Sequence, residues 1–216
     1  MKKNKAYAVF GLGRYGMAVA RELVDNGAEV IAIDENQDIV NDAAAYLPMC
    51  KRADVTDADV ISRLGISELD TVIICMASNL ESSVMAVTLC KEVGVKNVIA
   101  KCGSKMHQKI LLKVGADQVV FPENESGIRL AKNLLSSGFI DIISLSKDVS
   151  MVEIEVRDEW VGKNLIELNL RKRYGFNIVA LKKGEDVNVS INPEQPLEKE
   201  TTMIVIANTA KLGKLK

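Results

Sequence analysis

The chain has almost no excess of charge of either sign. Its 28 lysines and arginines face 29 aspartates and glutamates, which gives a formal net charge of −1. Binding to nucleic acid or to an anionic membrane surface requires a concentration of positive charge. The composition shows no excess of positive charge, and we therefore expect no nucleic-acid partner.

Cysteines and long apolar runs are also few. The four cysteines lack the spacing of a metal-binding motif, which predicts reduced, buried thiols in a cytosolic protein. Residues 71–90 carry a single charge, but 77–83 within them are polar and turn-like, so no membrane span is expected. Three lysines within the first five residues lead straight into the first predicted strand, and we expect no secretory signal there.

A glycine-rich turn is the most informative feature that the chain does have. It reads Val9-Phe10-Gly11-Leu12-Gly13-Arg14-Tyr15-Gly16. In GxGxxG spacing the first glycine permits the tight turn, the second lets the backbone approach a pyrophosphate, and the third lets the helix pack against the strand. Asp34, followed by Glu35, lies about twenty residues further on, where a carboxylate can accept ribose hydroxyls. These residues predict a nucleotide site.

Strand-like and helix-like segments alternate from the first residues to 122. The predicted strands are 5–10, 29–33, 49–53, 71–76, 97–101 and 118–121, and the predicted helices are 14–26, 38–46, 57–64, 80–93 and 104–114. Nearly continuous apolar strands separated by helices are typical of a parallel sheet covered on both faces. We therefore predict an α/β fold, a Rossmann-like doubly wound parallel sheet over residues 1–122.

The pattern changes after Pro122. Apolar residues at helical spacing predict an amphipathic helix over 123–136, ended by Ser136-Ser137-Gly138. We interpret 123–138 as a linker that mediates dimerisation. Beyond it, strands predicted at 151–156, 176–181, 187–191 and 202–206, with a helix over 164–174, indicate a small α+β C-terminal domain over 139–216.

Two basic residues are placed to meet phosphates. Arg14 lies in the glycine turn at a helix N-terminus, where anions are already favoured. Lys101 ends the fifth predicted strand and would bring a second positive charge to the same crevice. Two cations suit ATP or ADP as well as a dinucleotide. A solvated arginine on the first helical turn remains the alternative for Arg14.

The signature motifs of catalysis are missing. The sequence contains no GxSxG, HExxH or CxxC motif and no Walker lysine. A dehydrogenase also needs an acid or base against the nicotinamide, yet residues 139–216 hold neither histidine nor cysteine. The single histidine, His107, is placed near the start of the fifth helix, and a lone histidine there is usually a surface or packing residue. We expect no enzyme.

Four segments carry a resemblance to a known family. Residues 8–16, 53–57, 115–123 and 168–175 resemble the RCK proteins, the regulators of potassium conductance, and in particular the cytoplasmic gating subunits of Ktr and Trk potassium transporters. The similarity covers essentially the whole chain in order, an N-terminal lobe followed by a C-terminal lobe. It is therefore far more specific than the glycine motif alone.

The resemblance implies a regulator and not an enzyme. Its members form homo-oligomers, dimers that assemble into an octameric ring at the inner face of the membrane beneath a potassium transporter subunit. ATP, ADP or NAD(H) in the N-terminal lobe changes the shape of the ring and so the conductance of the pore. Carried over, the resemblance implies these roles: phosphates at Arg14, ribose at Asp34, adenine at Asp54 and Val55, ligand contacts at Ala77 and Ser78, the phosphate side at Lys101 and His107, and a divalent cation at Glu123. Glu35 is a further nucleotide-binding candidate.

The C-terminal lobe of some Ktr-type subunits resembles a receptor for cyclic di-AMP. The matching positions here are Leu165, Ile166, Asn169, Arg171 and Pro193. Arg171 suits a phosphate, whereas Asn169 stands where the family frequently has aspartate. An ordinary exposed helix with basic residues is the alternative.

Three hypotheses from different classes follow. The first is a nucleotide-sensing gating subunit of a potassium transporter. The second is a small NAD(P)-dependent oxidoreductase, which hydride-transfer activity would reveal. The third is a nucleotide-binding module with a partner other than a channel.

Overall fold

The computed structural model describes residues 5–135 and 141–212. The chain divides into two compact units, Met1–Glu123 and Asn124–Lys216. Among the helices of these described residues, none combines the length and the apolar character of a membrane span.

A six-stranded parallel sheet forms the centre of the first unit. Its strands lie side by side in the order β3-β2-β1-β4-β5-β6. They are β1 (Ala6–Phe10), β2 (Glu29–Asp34), β3 (Cys50–Arg52), β4 (Thr71–Ile74), β5 (Val98–Lys101) and β6 (Gln118–Val120). This is a doubly wound Rossmann-type order, so the predicted fold class is confirmed.

The helices of this unit follow the strands and cover the sheet. They are α1 (Arg14–Asp25), α2 (Gln37–Ala43), α3 (Ala58–Arg63), α4 (Leu80–Glu92) and α5 (Lys105–Lys113). The side chains of Asn36, Asp57, Asn79 and Ser104 accept hydrogen bonds from the first backbone N–H groups of α2 to α5. Such caps satisfy donors that lack a partner within the helix, which fixes where each helix begins.

The core lies on both faces of the sheet. Ala8 and Phe10 belong to one cluster of buried side chains, whereas Val9 between them belongs to another. All four residues of β4 are buried, because this central strand is covered on both sides. Burial on both faces explains why the strands are nearly continuous apolar runs in the sequence.

The second unit contains a five-stranded antiparallel sheet in the order β10-β9-β11-β8-β7. Its elements are α6 (Pro122–Leu135), which starts in the first unit, β7 (Asp141–Ser144), β8 (Val149–Glu155), α7 (Leu165–Leu168), α8 (Leu170–Tyr174), β9 (Asn177–Lys183), β10 (Asp186–Asn188), β11 (Thr202–Asn208) and α9 (Thr209–Leu212). Alternate residues of β8 and β11 are buried, as the period of two predicted. The predicted α+β class is confirmed.

The helix predicted over 164–174 is wrong as a single element. It is two short helices separated by Asn169, whose φ of 46° is left-handed. Leu168 and Leu170 are both buried, although residues two apart lie on opposite sides of a continuous helix. The break lets both face the core, and asparagine tolerates the left-handed conformation.

Two further predictions differ from the structure. Strand β7 was not expected, and β10 covers Asp186–Asn188 where 187–191 was predicted. The Ser136-Ser137-Gly138 break lies outside the described residues. Helix α6 is observed, and its side chains Ile128, Leu130 and Leu134 are 49%, 60% and 77% exposed.

Candidate functional site

The candidate site lies where the strand order of the parallel sheet reverses, between β1 and β4. In open α/β sheets ligands bind outside the carboxyl ends of the strands at this point. The glycine turn joins β1 to α1 there, and Ala77 and Ser78 follow β4. The fold therefore brings the sequence-predicted turn to the expected crevice.

The three glycines of the turn have different roles. Gly11 has a φ of +84°, and its N–H donates to the carbonyl oxygen of Ile33 at 2.8 Å. A Cβ on Gly16 would lie 1.9 Å from the carbonyl oxygen of Gly11, so α1 can approach β1 only without one. A Cβ on Gly13 would meet nothing within 4 Å. The space beside Gly13 is the cradle that a phosphate could enter.

A cavity of about 460 Å³ opens on one side of the turn. Predicted residues Gly11, Gly13, Asp34, Glu35, Asp54, Val55 and Ser78 line it, together with Ile33, Ile39, Ala53, Thr56, Cys75, Met76, Asn79 and Ser82. The lining combines carboxylates with apolar side chains. Such a mixture suits the ribose and base of a nucleotide.

The Asp34 carboxylate is hydrogen-bonded to the backbone of the glycine turn. One of its carboxylate oxygens accepts the Leu12 N–H at 2.7 Å, and the other accepts the Asn36 N–H at 2.9 Å. Each carboxylate oxygen has a second lone pair, so both can still accept from a ribose hydroxyl. The same side chain thus fixes the turn and faces the cavity.

Asp54 holds a tight local turn. One of its oxygens accepts both the N–H of Thr56, at 2.8 Å, and the hydroxyl of Thr56, at 2.6 Å. These hydrogen bonds lower the pKa of Asp54, and the carboxylate is exposed. Val55 beside it is 4% exposed and belongs to the core, and it also lines the cavity.

A second cavity, of about 560 Å³, opens on the other side of the turn. It is lined by Gly13, Arg14, Tyr15, Gly16, Ala18, Cys75, Ala77, Ser78, Lys101 and Glu123. Because Gly13, Cys75 and Ser78 border both cavities, the two form one crevice divided by the glycine turn. The N-terminus of α1 and two cations make this half suitable for phosphates.

Lys101 is already paired in this crevice. Its Nζ donates to Glu123 at 2.5 Å and lies 5.5 Å from the centre of the Tyr15 ring. The lysine side chain is 14% exposed, whereas that of Glu123 is 63% exposed. The pKa of Glu123 lies below its usual value, mainly because of the hydrogen bond from Lys101 and with a smaller contribution from Arg14.

The structure does not bring His107 to either cavity. Its side chain is 6% exposed, and its Nδ1 accepts the Gly103 N–H at 3.3 Å. Its Nε2 then carries the proton and donates to the Ser83 hydroxyl at 2.7 Å, which donates to the Leu80 carbonyl. Burial lowers the pKa of His107. Both ring nitrogens are therefore used within the protein.

The structure also brings together most of the residues named for a cyclic dinucleotide. Leu165, Ile166, Asn169 and Arg171 line a cavity of about 460 Å³ in the second unit, with Leu170, Phe176, Asn177 and Ile178. Pro193 is adjacent, because its carbonyl oxygen accepts the Leu165 N–H at 3.1 Å. The left-handed Asn169 turns the chain at this cavity.

Several lining residues escaped the sequence reasoning. Thr56, Asn79 and Ser82 border the cavity near Asp34, and Met76 lies against Gly11. Asparagine is a favoured N-cap residue, so Asn79 directly before the apolar helical pattern indicates a helix start, and its position after β4 places it at the crevice. Within residues 5–135 and 141–212, no group of three or more His, Cys, Asp or Glu side chains could hold a metal ion.

The parallel sheet, the glycine turn and the acidic end of β2 define a Rossmann-type domain of the nucleotide-binding class. A small α+β domain follows it. The chain belongs to the TrkA family: its residues 7–122 match the TrkA-N domain, and its residues 149–216 match the TrkA-C domain. The resemblance to RCK-type potassium regulators is confirmed.

The chain is similar to proteins that are described as potassium uptake proteins. The chain is 35% identical to Ktr system potassium uptake protein C of Bacillus subtilis (strain 168), over 98% of this chain and 96% of that protein. It is 33% identical to Ktr system potassium uptake protein A of Vibrio alginolyticus, over 97% of this chain and 96% of that protein.

A solved structure described as the GsuK channel bound to NAD has a similar fold. The TM-score is 0.66, at 17% identity over 99% of this chain. The chain spans 39% of the length of that channel chain. At this identity, the likeness establishes the fold alone.

Proposed function

We propose that this chain is the nucleotide-sensing regulatory subunit of a Ktr-type potassium uptake system. The observation that carries the proposal is the combination of near full-length similarity to Ktr potassium uptake proteins with a crevice built for a nucleotide. In that crevice Asp34 meets the ribose, Asp54 and Val55 border the adenine, and Arg14 and Lys101 face the phosphates.

ATP and ADP are the proposed ligands, with NAD(H) as a further member of the same class. All three share an adenosine and a diphosphate, which the two halves of the crevice would hold. The GsuK channel, a protein of the same fold, is bound to NAD in its solved structure, and this supports the same class of ligand here. Differential binding to two ring conformations would then open or close the pore.

The subunit acts as a homo-oligomer of dimers, up to an octameric ring, beneath a membrane subunit at the inner face of the membrane. The exposed apolar side chains of α6, Ile128, Leu130 and Leu134, support such assembly, because a second copy would bury them. The same assembly would allow Glu123 to bind a divalent cation. One carboxylate per chain holds such an ion only together with a symmetry-related partner.

Cys75, which lines both halves of the crevice, is a poor nucleophile. Burial raises the pKa of the Cys75 thiol to about 12, so it remains protonated at neutral pH. An oxidoreductase would need a proton donor or acceptor beside the nicotinamide. Reduction or oxidation of a nicotinamide cofactor by the purified protein would favour the oxidoreductase instead.

The test of the nucleotide site is thermal unfolding with and without ligand. ATP or ADP at about a hundred times its dissociation constant should raise the apparent free energy of unfolding by about 2.7 kcal/mol. The transition temperature should rise with nucleotide concentration, and calorimetric titration should give the matching affinity. Absence of a shift with every adenine nucleotide would refute the site.

Asp34→Ala is the matched variant for that experiment. It removes the ribose acceptor together with the partner of the Leu12 N–H, and should weaken binding by about 1 to 3 kcal/mol. Asp25→Ala, an exposed residue at the end of α1, serves as the control and should bind as the unaltered chain does. Equal affinity of the Asp34 and Asp25 variants would place the ribose elsewhere.

We further assign the second-unit cavity to a cyclic dinucleotide such as cyclic di-AMP. Arg171 is exposed at its edge and would pair with a phosphate, while the exposed Ile166 offers apolar surface to a base. Arg171→Ala should reduce the affinity for cyclic di-AMP at least about tenfold, and Lys199→Ala should not. Titration calorimetry with no heat from the unaltered chain would remove this assignment.

A further inference from the structure

The Lys101–Glu123 pair occupies the phosphate half of the crevice without belonging to the sheet core. Lys101 is the last residue of β5, and Glu123 lies in the first turn of α6. Both line the 560 Å³ cavity with Arg14 and the α1 N-terminus. An acidic side chain among groups that attract phosphate lowers the affinity of the cavity for anions.

We propose that Glu123 is an internal competitor that holds Lys101 until a ligand phosphate displaces it, and so sets how tightly the crevice binds nucleotides. The inference rests on the proposed function, because it concerns the same crevice. When no cation is bound, Glu123 therefore weakens nucleotide binding instead of contributing a contact to the ligand.

The exposures of the two partners decide which one moves. Lys101, at 14% exposed, needs a counter-charge nearby, because an ammonium group removed from water is costly without one. Glu123, at 63% exposed, is largely hydrated already and loses little on leaving the pair. Lys101 therefore stays in the crevice, and a phosphate replaces the carboxylate.

The contacts around Lys101 favour its retention. Its ammonium lies 5.5 Å from the centre of the Tyr15 ring, a distance at which the ring attracts a cation. Tyr15 is part of the glycine turn, so the cation is held beside the place where phosphates enter. Replacement of Glu123 by a phosphate keeps both of these interactions.

The experiment measures ADP and ATP affinity by calorimetry in EDTA, so that no divalent cation bridges Glu123 and the ligand. Glu123→Gln should bind both nucleotides about fivefold more tightly or better, since the amide no longer competes as an anion. Adenosine, which lacks phosphates, should bind the variant and the unaltered chain equally. Glu92→Gln, at the far end of α4, changes the net charge equally and should leave all affinities unchanged.

A second variant separates competition from simple repulsion. In a Lys101→Met background, Glu123→Gln should gain clearly less than it does with lysine present, because there is no cation left to release. An equal gain in both backgrounds, or no gain with lysine present, would overturn the competitor role. Failure of the unaltered chain to bind any adenine nucleotide would instead overturn the proposed nucleotide site, and with it this inference.

Discussion

Gly16→Ala should strongly destabilise the nucleotide-binding unit, whereas Gly13→Ala should leave its stability nearly unchanged and weaken nucleotide binding. The two glycines are three residues apart in one turn, yet their surroundings differ. A Cβ on Gly16 would lie 1.9 Å from a backbone oxygen, and one on Gly13 would meet nothing within 4 Å. The paired variants thus separate the structural role of the turn from its binding role.

For Gly16→Ala the clash cannot be relieved by a side-chain rotation. The nearest atom is the carbonyl oxygen of Gly11, and the Cβ of Cys75 lies 3.2 Å away on another side. Helix α1 would have to separate from β1, which opens the core around Ala20. We expect a loss of about 3 kcal/mol or more in the free energy of unfolding, measured by urea denaturation.

For Gly13→Ala the backbone itself is not strained. Gly13 has φ −64° and ψ −176°, which alanine adopts readily, so the unfolding temperature should stay the same or rise slightly. The added methyl group fills the space through which a pyrophosphate reaches the α1 N-terminus. The affinity for ADP should fall at least about tenfold.

A separate result would contradict the prediction for each glycine variant. A Gly16→Ala protein as stable as the unaltered chain would mean that α1 does not need the close approach to β1. A Gly13→Ala protein that binds ADP with unchanged affinity would show that phosphates do not pass beside Gly13. Urea unfolding and calorimetry on the same preparations give both answers.

Local rules made the first unit predictable from sequence. Gly11 and Gly16 mark a turn with a narrow steric requirement, and caps such as Asn79 mark helix starts. Apolar strands alternating with helices leave few arrangements other than a doubly wound sheet. The crevice then follows, because the carboxyl ends of parallel strands meet at one edge.

Features that depend on contacts between distant residues could not be predicted from the sequence. The left-handed Asn169 is imposed by the burial of both Leu168 and Leu170, which no local pattern of the helix reveals. The inward orientation of His107 depends on Ser83, which lies 24 residues away in sequence. The pairing of Lys101 with Glu123 likewise joins residues from separate elements.

The ATP-bound and ADP-bound proteins should be homo-oligomers of different shape in solution. A regulator that acts on a separate pore needs at least two arrangements of similar energy, and its ligands must bind them unequally. ATP and ADP share their adenosine and two phosphates. The difference must therefore arise where the terminal phosphate lies, in the cavity that Arg14 borders.

Arg14→Ala should remove this difference while some nucleotide binding remains. The guanidinium is exposed at the α1 N-terminus, and its charge-assisted hydrogen bonds to a terminal phosphate would be worth about 1.5 to 3 kcal/mol. The adenosine half of the crevice does not include Arg14, so ADP and ATP should then bind with similar affinity. The matched control is Arg21→Ala on the same helix, whose guanidinium lies 4.3 Å from the centre of the Tyr46 ring.

Small-angle X-ray scattering combined with light scattering tests the prediction. The unaltered chain and the Arg21 variant should give distinct scattering profiles with ATP and with ADP at the same oligomer mass, and the Arg14 variant should give one profile for both. A monomer under every condition would refute assembly through exposed faces such as that of α6. Identical profiles for the unaltered chain, at saturating ATP and ADP, would mean that the terminal phosphate does not select between ring arrangements, because a ligand with equal affinity for two states shifts neither.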